Sequence, residues 1–451
     1  MSDVIAAVAT GKQVSAIGIL RVSGPDCALL CDKVFRSVSG KALSQADNRK
    51  LLLGSLLDKD GRVIDQVLAV HTRGPHSYTG EDTVEFQCHG SPAVLAGGLE
   101  ALFGAGARQA GPGEFTKRAF LNGQMDLSQA EAVVDLIDAE TTDAAANAAG
   151  QLGGALLRRI DPVYDGLRDM MSHFHAVLDY PDEDIESFEL ADYLSLLQAD
   201  RDALRALLAG FGRGQIVKRG IRTVILGKPN VGKSSLLNLL AGYERVIVTE
   251  VAGTTRDSVE ESVRLGRHLL RLVDTAGIRE TEDRIERMGV DRARAAVKDA
   301  DLVIAVLDAA GPVTEEDREA LELAALCGKN LTLYNKYDLV DGGSSVQTAT
   351  GIPFSAKTGS GLDALEAELD RLFDDGIPCD GSLLTNTRQA GAIRRAEDAL
   401  GRALDALQAG ITPDAVLCDV ENAMEALGEV TGRTFREDIV NRIFERFCVG
   451  K

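Results

Sequence analysis

Four short motifs with side chains capable of chemistry follow one another within residues 227–357. They are Gly227-Lys-Pro-Asn-Val-Gly-Lys-Ser234, Asp274-Thr-Ala-Gly277, Asn335-Lys-Tyr-Asp338 and Ser355-Ala-Lys357. The first fits the phosphate-loop pattern G-x-x-x-x-G-K-S/T, in which backbone N–H groups cradle phosphate, Lys233 reaches the β- and γ-phosphates and Ser234 binds Mg²⁺. An apolar run at 222–226 predicts a strand before the loop, and residues 235–240 predict a helix after it. This context favours phosphate binding over an ordinary glycine-rich turn.

The other three motifs offer contacts to the metal ion and the base. Asp274 follows a predicted strand at 271–273, so we expect an outer-sphere ligand of Mg²⁺ there, with Gly277 near the γ-phosphate. Asp338 can accept from the N1 and N2 donors that guanine has and adenine lacks, and Ser355-Ala-Lys357 would complete the base pocket through its backbone. Each motif alone could be a simple turn, but the ordered set predicts a GTP-hydrolysing enzyme.

The residues that would position the attacking water are unusual. Many small GTPases have Gln directly after Asp-x-x-Gly to orient this water, whereas this chain has Ile278, which cannot form a hydrogen bond through its side chain. The carboxylates that follow leave the choice open, and they are Glu280, Glu282, Asp283 and Glu286. The side-chain oxygen of Asn230 in the phosphate loop would suit a monovalent cation at the place of an arginine finger.

Length and composition limit the classes of protein that fit. A chain of 451 residues has room for about three domains. Its net charge of −20 argues against non-specific nucleic-acid binding, and an aromatic content of 4% leaves few platforms for stacking single strands. The seven cysteines form no metal-like or disulfide pattern and predict reduced thiols. With no basic leader after Met1 and no apolar stretch long enough for a membrane span, we expect a soluble, cytoplasmic protein.

The periodicity predicts a multidomain α/β protein. Residues 1–120 alternate β-like runs, notably at 16–22, 66–70 and 83–88, with a helix near 94–103, which indicates an α+β domain. Helical periodicity covers 121–212 and is expected to break at Gly212-Arg-Gly214. A Ras-like G domain is expected over 218–377, ending in a helix at 361–373.

Helical periodicity resumes over 379–451. Its last apolar helix is expected over 438–447, with Cys448 at its end. Helices on both sides of the G domain predict that this domain is inserted into one helical domain. Two separate helical domains are the alternative.

Three further features make the whole chain resemble the bacterial tRNA modification GTPase family known as MnmE or TrmE. The first is Val248-Thr-Glu-Val-Ala-Gly-Thr-Thr-Arg-Asp257, similar to the potassium loop of that family. The second is the amino-terminal pair Ser77-Tyr-Thr-Gly-Glu-Asp82 and Gly111-Pro-Gly-Glu-Phe-Thr-Lys-Arg-Ala-Phe-Leu-Asn-Gly123. The third is the terminal Cys448-Val-Gly-Lys451, which matches the Cys-x-Gly-Lys ending of the family.

The resemblance implies metal ions and a catalytic residue. The K⁺ ligands would be Asn230, Thr249, Val251 and Thr254, and the Mg²⁺ ligands would be Ser234 and Thr255. The catalytic carboxylate of the family, in Ile/Val-Glu-Arg-Ile/Met-Gly, falls on Glu286. With the switch-loop threonines included, the residues expected to contact GTP are Asn230, Val231, Gly232, Lys233, Ser234, Ser235, Thr249, Thr254, Thr255, Asp274, Thr275, Ala276, Gly277, Asn335, Lys336, Asp338, Ser355, Ala356 and Lys357.

The resemblance also implies a folate-binding, dimer-forming amino-terminal domain. A 5-formyl or methylene tetrahydrofolate would contact Arg21, Glu81 and Lys451, and Gln124 stands where the family commonly has Lys. Cys448 matches a cysteine that has been considered catalytic, although an ordinary terminal thiol is an alternative. His71, His76 and His89 have no metal-ligand spacing and are expected to be ordinary histidines.

The implied function is a K⁺-dependent GTPase cycle in tRNA modification. Together with an FAD-dependent partner of the MnmG or GidA family, in a heterotetramer or larger complex, the homodimer would add an aminomethyl or carboxymethylaminomethyl group to C5 of the wobble uridine of certain tRNAs. One alternative is a ribosome-assembly GTPase, which predicts a basic RNA-binding appendage such as a KH module. Another is a folate-binding regulatory protein without a catalytic step of its own.

Overall fold

The computed structural model describes residues 3–11, 13–179, 190–243, 261–273, 294–340, 351–374, 376, 378–411, 413–434, 437–445 and 447–450. Contacts divide the chain into two compact units. The first unit comprises residues 1–134 with 417–451, and the second comprises residues 135–416.

Both units contain strands and helices. The strands are β1 Ile5–Val8, β2 Ser15–Ser23, β3 Phe35–Ser37, β4 Leu51–Leu57, β5 Val63–Thr72, β6 Thr83–Gly90, β7 Arg108–Gln109, β8 Ile221–Leu226, β9 Glu261–Leu265, β10 His268–Leu272, β11 Leu302–Asp308, β12 Asn330–Asn335 and β13 Ile352–Pro353. The helices are α1 Cys27–Cys31, α2 Pro92–Ala105, α3 Glu114–Leu121, α4 Leu127–Ile137, α5 Thr142–Leu152, α6 Ala155–Asp179, α7 Leu190–Ala209, α8 Phe211–Arg219, α9 Lys233–Tyr243, α10 Glu315–Ala324, α11 Leu362–Phe373, α12 Thr387–Gln408, α13 Pro413–Thr431 and α14 Glu437–Phe444. None of these helices is long and apolar enough to cross a membrane.

The first unit is built on a mixed sheet. Within its described residues the sheet has seven strands in the order β3-β4-β5-β6-β2-β1-β7, and only β1 and β7 pair in parallel. Alternate residues of β6, namely Val84, Phe86 and Cys88, are buried, because successive strand side chains point to opposite faces. They share one apolar core with Leu95 and Leu102 of α2. The predicted α+β domain with strands near 16–22, 66–70 and 83–88 is confirmed.

The carboxyl-terminal part of the first unit supplies a second apolar cluster. Phe120 and Leu127 pack there with Val440, Phe444 and Phe447. α14 ends at Phe444, so the predicted helix over 438–447 is too long at its carboxyl end. All seven cysteines are free thiols in the structure.

The second unit contains the predicted G-domain sheet. Within its described residues the strand order is β13-β12-β11-β8-β10-β9, and every neighbouring pair is parallel except the β9–β10 hairpin. The parallel strands are buried on both faces, since β11 is apolar from Leu302 to Leu307 and helices cover such sheets on both sides. The carboxyl ends of β8, β11, β12 and β13 therefore meet at one edge, where the predicted motifs lie.

The helical segments before and after this sheet pack on each other. Arg201 on α7 donates to Glu397 on α12 at 2.8 Å. The Gln151 amide on α5 donates to the carbonyl oxygen of Leu383 at 2.6 Å, just after the G-domain segment. The helical segments before and after the G-domain sheet therefore contact each other, as expected for an inserted G domain, and their assignment to one helical domain stays a prediction.

The predicted break of the helical region at Gly212-Arg-Gly214 is wrong. α8 contains both glycines and ends at Arg219, followed by the cap residue Gly220 with φ of 81°. A Cβ on Gly214 would lie 2.0 Å from the carbonyl oxygen of Leu384. Glycine is present because the α8 backbone touches the chain that returns from the G domain, and not because the helix stops.

We expect Gly214→Ala to destabilise the second unit, although alanine is the better helix former. The new Cβ must displace the Leu384 backbone, at a cost of about 1–3 kcal/mol, as for overpacked cores. Gly212→Ala is the matched control, because nothing lies within 4 Å of its Cβ position and alanine should stabilise that helix by up to about 1 kcal/mol. Thermal melting of the two full-length variants checks this. Equal melting temperatures would contradict the packing explanation.

Candidate functional site

The loop between β8 and α9 has the backbone conformation of a phosphate-binding loop. Gly227, Asn230 and Gly232 all have positive φ, at 148°, 61° and 97°. A Cβ on Gly227 would lie 2.3 Å from the carbonyl oxygen of Val306 on β11, so only glycine fits there. The loop ends where α9 begins, so its N–H groups and the helix N-terminus favour an anion at the same place.

Lys233, the first residue of α9, folds back over the loop. Its ammonium group donates to the carbonyl oxygens of Gly227 and Lys228. Burial lowers its pKa below the usual value, because a buried ammonium group loses hydration. The side chains of Ser234 and Ser235 in the same helical turn are exposed. Lys233, Ser234 and Ser235 therefore present an ammonium group and two hydroxyl groups around the loop.

Asn335 joins the phosphate loop to the proposed base pocket. Its amide is buried at the end of β12, with 2% exposure. Nδ2 donates to the carbonyl oxygen of Val231 at 2.7 Å, and Oδ1 accepts from the backbone N–H of Ala356 at 2.9 Å. A Cβ on Gly232 would lie 2.2 Å from Nδ2, which explains the second glycine of the loop.

The carboxylate of Asp338 is held in place while it remains exposed. The hydroxyl group of Ser355 donates to its Oδ1 at 2.6 Å. Lys336 between the two motif residues has φ of 62°, and its ammonium group pairs with Asp308 at 2.7 Å. The oriented Asp338 carboxylate can accept two N–H donors from one edge of a base. The structure thus brings together the phosphate-loop, Asn-Lys-x-Asp and Ser-Ala-Lys residues, and Lys357 is exposed beside them.

One contact to the phosphate loop was missed in the sequence analysis. Lys228 donates to Asp317 at 2.7 Å and to the Thr314 hydroxyl group at 3.1 Å. Asp317 also accepts from the backbone N–H and the hydroxyl group of Thr314, which forms a capping box at the start of α10. The spacing Thr-x-x-Asp before a helix was the signal for this capping box. Its long-range bond to the phosphate loop has no local signal.

Part of the predicted site lies outside the described residues. This holds for the switch segments and the last residue, namely Thr249, Val251, Thr254, Thr255, Asp274, Thr275, Ala276, Gly277, Glu286 and Lys451. Their predicted roles stay predictions.

A second polar site lies in the first unit, around two of the predicted folate contacts. The guanidinium group of Arg21 on β2 pairs with Glu85 at 2.7 Å. It also lies 5.2 Å from the ring centre of Tyr78 and 5.7 Å from that of Phe115. These distances are in the range of cation–π contacts. Arg21 therefore presents a cation beside two aromatic rings.

Glu81 lies on the wall of a cavity of about 580 Å³ in the same unit. Its Oε2 accepts from the Ser23 hydroxyl group at 3.0 Å and from Arg118 at 2.9 Å. Gln124 lies close to Gly80, the residue before Glu81, since a Cβ on Gly80 would lie 3.2 Å from the side-chain nitrogen of Gln124. Arg21 and Gln124 are not among the residues that line the cavity. Arg118 was missed in the sequence analysis, because a lone arginine on a helix carries no signal of a distant partner.

The chain end is attached to the same unit by its backbone. The carbonyl oxygen of Cys448 accepts from the N–H of Gly113 at 3.3 Å, and Val449 forms a β-bridge with Pro112. The side chain of Cys448 is exposed. It lies beyond the end of α14, so the predicted position on the helix terminus is wrong, and arguments from the helix dipole do not apply to this thiol.

Two of the three histidines named in the sequence analysis contact a carboxylate side chain. His71 is buried with Nε2 3.2 Å from an oxygen of Asp82, and His89 is exposed with Nδ1 2.8 Å from Asp65. In the part of the chain that the structure describes, no group of three His, Cys, Asp or Glu side chains could hold a metal ion.

Two family models match the chain. One, described as the GTP-binding protein TrmE N-terminus, matches residues 4–124, and the other, described as the MnmE helical domain, matches residues 127–448. Among solved structures, a variant of Aquifex aeolicus Era bound to GDP·AlF4⁻ is similar at 27% identity, over 40% of this chain and 66% of that chain. Its TM-score of 0.28 is too low for an inference about fold or activity.

Three relatives share the name tRNA modification GTPase MnmE. That of Symbiobacterium thermophilum is 43% identical over 100% of this chain and 99% of its own length. That of Roseiflexus sp. strain RS-1 is 42% identical over 100% of this chain and 99% of its own. That of Alkaliphilus metalliredigens is 42% identical over 100% of both. The predicted resemblance is confirmed, and the chain belongs to the MnmE family of tRNA modification GTPases.

Proposed function

We propose that this GTPase, with an FAD-dependent partner of the MnmG or GidA family, adds an aminomethyl or carboxymethylaminomethyl group to C5 of the wobble uridine of certain tRNAs. GTP hydrolysis drives a conformational cycle and does not enter the covalent chemistry. The observation that carries the nucleotide part is the buried Asn335 amide, which joins the phosphate loop to the Ser355-Ala-Lys357 segment. The reaction takes place in the cytoplasm, on a constitutive homodimer formed by the amino-terminal domains.

The described residues fit a guanine nucleotide with Mg²⁺. Lys233 and the N–H groups of the loop would hold the phosphates, and the exposed Ser234 hydroxyl group would bind the metal ion with Thr255. The ion would neutralise charge on the phosphates. Asp338, held by Ser355 at 2.6 Å, would accept the N1 and N2 protons of guanine.

One described residue, Asn230, suits a K⁺ ion beside the phosphate loop. Asn230 holds φ of 61° with its side chain exposed, so its oxygen can reach a cation. The other proposed ligands are Thr249, Val251 and Thr254. The ion would supply the positive charge that an arginine finger supplies elsewhere. Glu286 would align the attacking water, because Ile278 cannot, and G domains would pair across their switch regions when GTP and K⁺ are present.

The residues of the second site fit a reduced folate, in the 5-formyl or methylene form. Glu81 can accept paired N–H donors such as those of a pterin ring, and Arg21 offers a cation beside two aromatic rings. Gln124 can hydrogen-bond where a lysine would form an ion pair. Lys451 would complete the contacts. When bound, the folate supplies the one-carbon group. Cys448 lies on a segment whose backbone is hydrogen-bonded to the first unit of the protein.

We expect Asp338→Asn to exchange guanine for xanthine specificity. The amide has one acceptor where the carboxylate has two, so GTP affinity should fall by a factor of about 100 or more, as for the loss of two charged hydrogen bonds. The amide can instead donate to the C2 carbonyl group of xanthine, so XTP should bind more tightly than GTP. Competition against a fluorescent nucleotide measures both affinities. Unchanged preference for GTP would contradict the assigned base contact.

We expect hydrolysis to be at least about tenfold faster in KCl than in NaCl at equal ionic strength, because K⁺ replaces an arginine finger. Asn230→Gly should abolish the difference between the salts. Glycine adopts positive φ without strain and removes only the side-chain oxygen, so GDP affinity serves as the control and should change little. Equal rates of the wild-type protein in both salts would remove the cation proposal.

We expect cells that lack this chain to lose the C5-aminomethyl family of wobble uridines. The wild-type chain should restore them, while Glu286→Ala, which cannot align the attacking water, should not. Mass spectrometry of tRNA nucleosides measures the outcome. An unchanged profile would overturn the tRNA assignment and favour the ribosome-assembly alternative, whereas rescue by Glu286→Ala would separate hydrolysis from modification.

A further inference from the structure

A buried arginine lies at the centre of the ionic contacts around Glu81. Only 11% of the Arg118 side chain on α3 is exposed. Its Nη1 donates to Oε2 of Glu81 at 2.9 Å and to the carbonyl oxygen of Asp3 at 2.8 Å. Its Nη2 donates to Oδ1 of Asp3 at 2.9 Å and to Oε1 of Glu114 at 3.1 Å. One guanidinium group therefore joins three carboxylate side chains from different segments.

The surrounding charges keep Asp3, Glu114 and Arg118 ionised. Hydrogen bonding to Arg108 lowers the pKa of Asp3 to about 2. Burial opposes ionisation of Glu114, but hydrogen bonds from Arg108 and the Gly111 N–H lower its pKa to about 2. Burial likewise opposes the charge of Arg118, and the bond to Glu81 outweighs it, so the pKa of Arg118 is raised. The guanidinium group is thus charged and fixed in orientation at neutral pH.

Glu81 is in turn held from several directions. The Ser23 hydroxyl group on β2 donates to the same Oε2 that accepts from Arg118, at 3.0 Å. The Ser77 hydroxyl group donates to the backbone carbonyl oxygen of Glu81. The preceding Gly80 has φ of 76°, which sets the turn that carries Glu81 to the cavity wall. The direction of this carboxylate is therefore set by protein contacts, before any ligand binds.

We propose that Arg118 is a positioning residue that orients the Glu81 carboxylate toward two adjacent N–H donors of a reduced folate ring. This inference rests on the folate site of the proposed function. Arg118 acts through Glu81. The planar guanidinium group suits this role, because a lysine ammonium group is a point charge and cannot make four hydrogen bonds in fixed directions.

Arg108 provides a matched control. It pairs with Asp3 and Glu114, the same two acids that Arg118 contacts, and 47% of its side chain is exposed. Hydrogen bonds from Arg108 go to Asp3, Gln109 and Glu114. If the ionic contacts serve only stability, loss of either arginine should affect ligand binding alike. If Arg118 orients Glu81, only its replacement should weaken binding.

The experiment titrates the full-length protein with 5-formyltetrahydrofolate by calorimetry. The variants are Arg118→Lys, Arg118→Gln, Arg108→Lys, Glu81→Gln and the double variant Arg118→Lys with Glu81→Gln, each checked for folding by thermal melting. We expect both Arg118 variants to lose at least about tenfold in affinity, as for a lost bond to a charged group, and Arg108→Lys to stay within about twofold. The double variant should bind as Glu81→Gln alone, because Arg118 acts through Glu81.

Each of the other outcomes would contradict a specific part of the proposal. Equal losses for Arg118→Lys and Arg108→Lys, or additive losses in the double variant, would show that Arg118 has only a structural role. Wild-type affinity in a folded Arg118→Gln protein would overturn the positioning role and leave the folate site intact. Absence of binding by the wild-type protein would overturn the folate site itself, and the role of Arg118 with it.

Discussion

The nucleotide site depends on one buried amide. Asn335 stands at the carboxyl end of β12, and its two polar atoms bond the backbones of Val231 and Ala356. Leaving a buried donor or acceptor unpaired costs about 1–3 kcal/mol, so the three segments are held in a single arrangement. The close approach requires Gly232, where a Cβ would lie 2.2 Å from the amide nitrogen. The residues proposed to contact the phosphates and the base are therefore held together by the same side chain.

A second side chain, that of Arg271, connects the sheet to the helical segments. The guanidinium group of Arg271 on β10 donates to Glu140 before α5 at 2.7 Å and to the carbonyl oxygen of Arg219 on α8 at 2.6 Å. It also donates to the Ser262 hydroxyl group on β9 at 2.9 Å. In the sequence, the β9–β10 hairpin stands between the two segments that carry the predicted switch residues. Since this side chain of β10 bonds β9, α8 and the residue Glu140 before α5, displacement of β10 must either break these bonds or move their partners.

The sequence predicted what local patterns encode. Apolar runs located the strands, the order of the four motifs located the nucleotide site, and helical periodicity located the helical segments. Gly214 shows where such prediction fails. Glycine is required there because the backbone lies against the Leu384 carbonyl oxygen, and a contact between residues so far apart in sequence leaves no local pattern. The bonds of Arg118 to Glu81 and of Lys228 to Asp317 were missed for the same reason. A charged side chain does not reveal its partner before the fold is known.

At Cys448, backbone contacts fix the position of the chain end, and the thiol side chain forms none of those contacts. Its carbonyl oxygen accepts from Gly113, and a Cβ on Gly450 would lie 2.0 Å from the carbonyl oxygen of Val8, so the backbone is held on both sides of Val449. The thiol itself is exposed. Because backbone contacts fix this segment, replacing the sulfur by oxygen in Cys448→Ser leaves those contacts in place. A change in modification activity in that variant would therefore report on the chemistry of the thiol, and not on the position of the chain end.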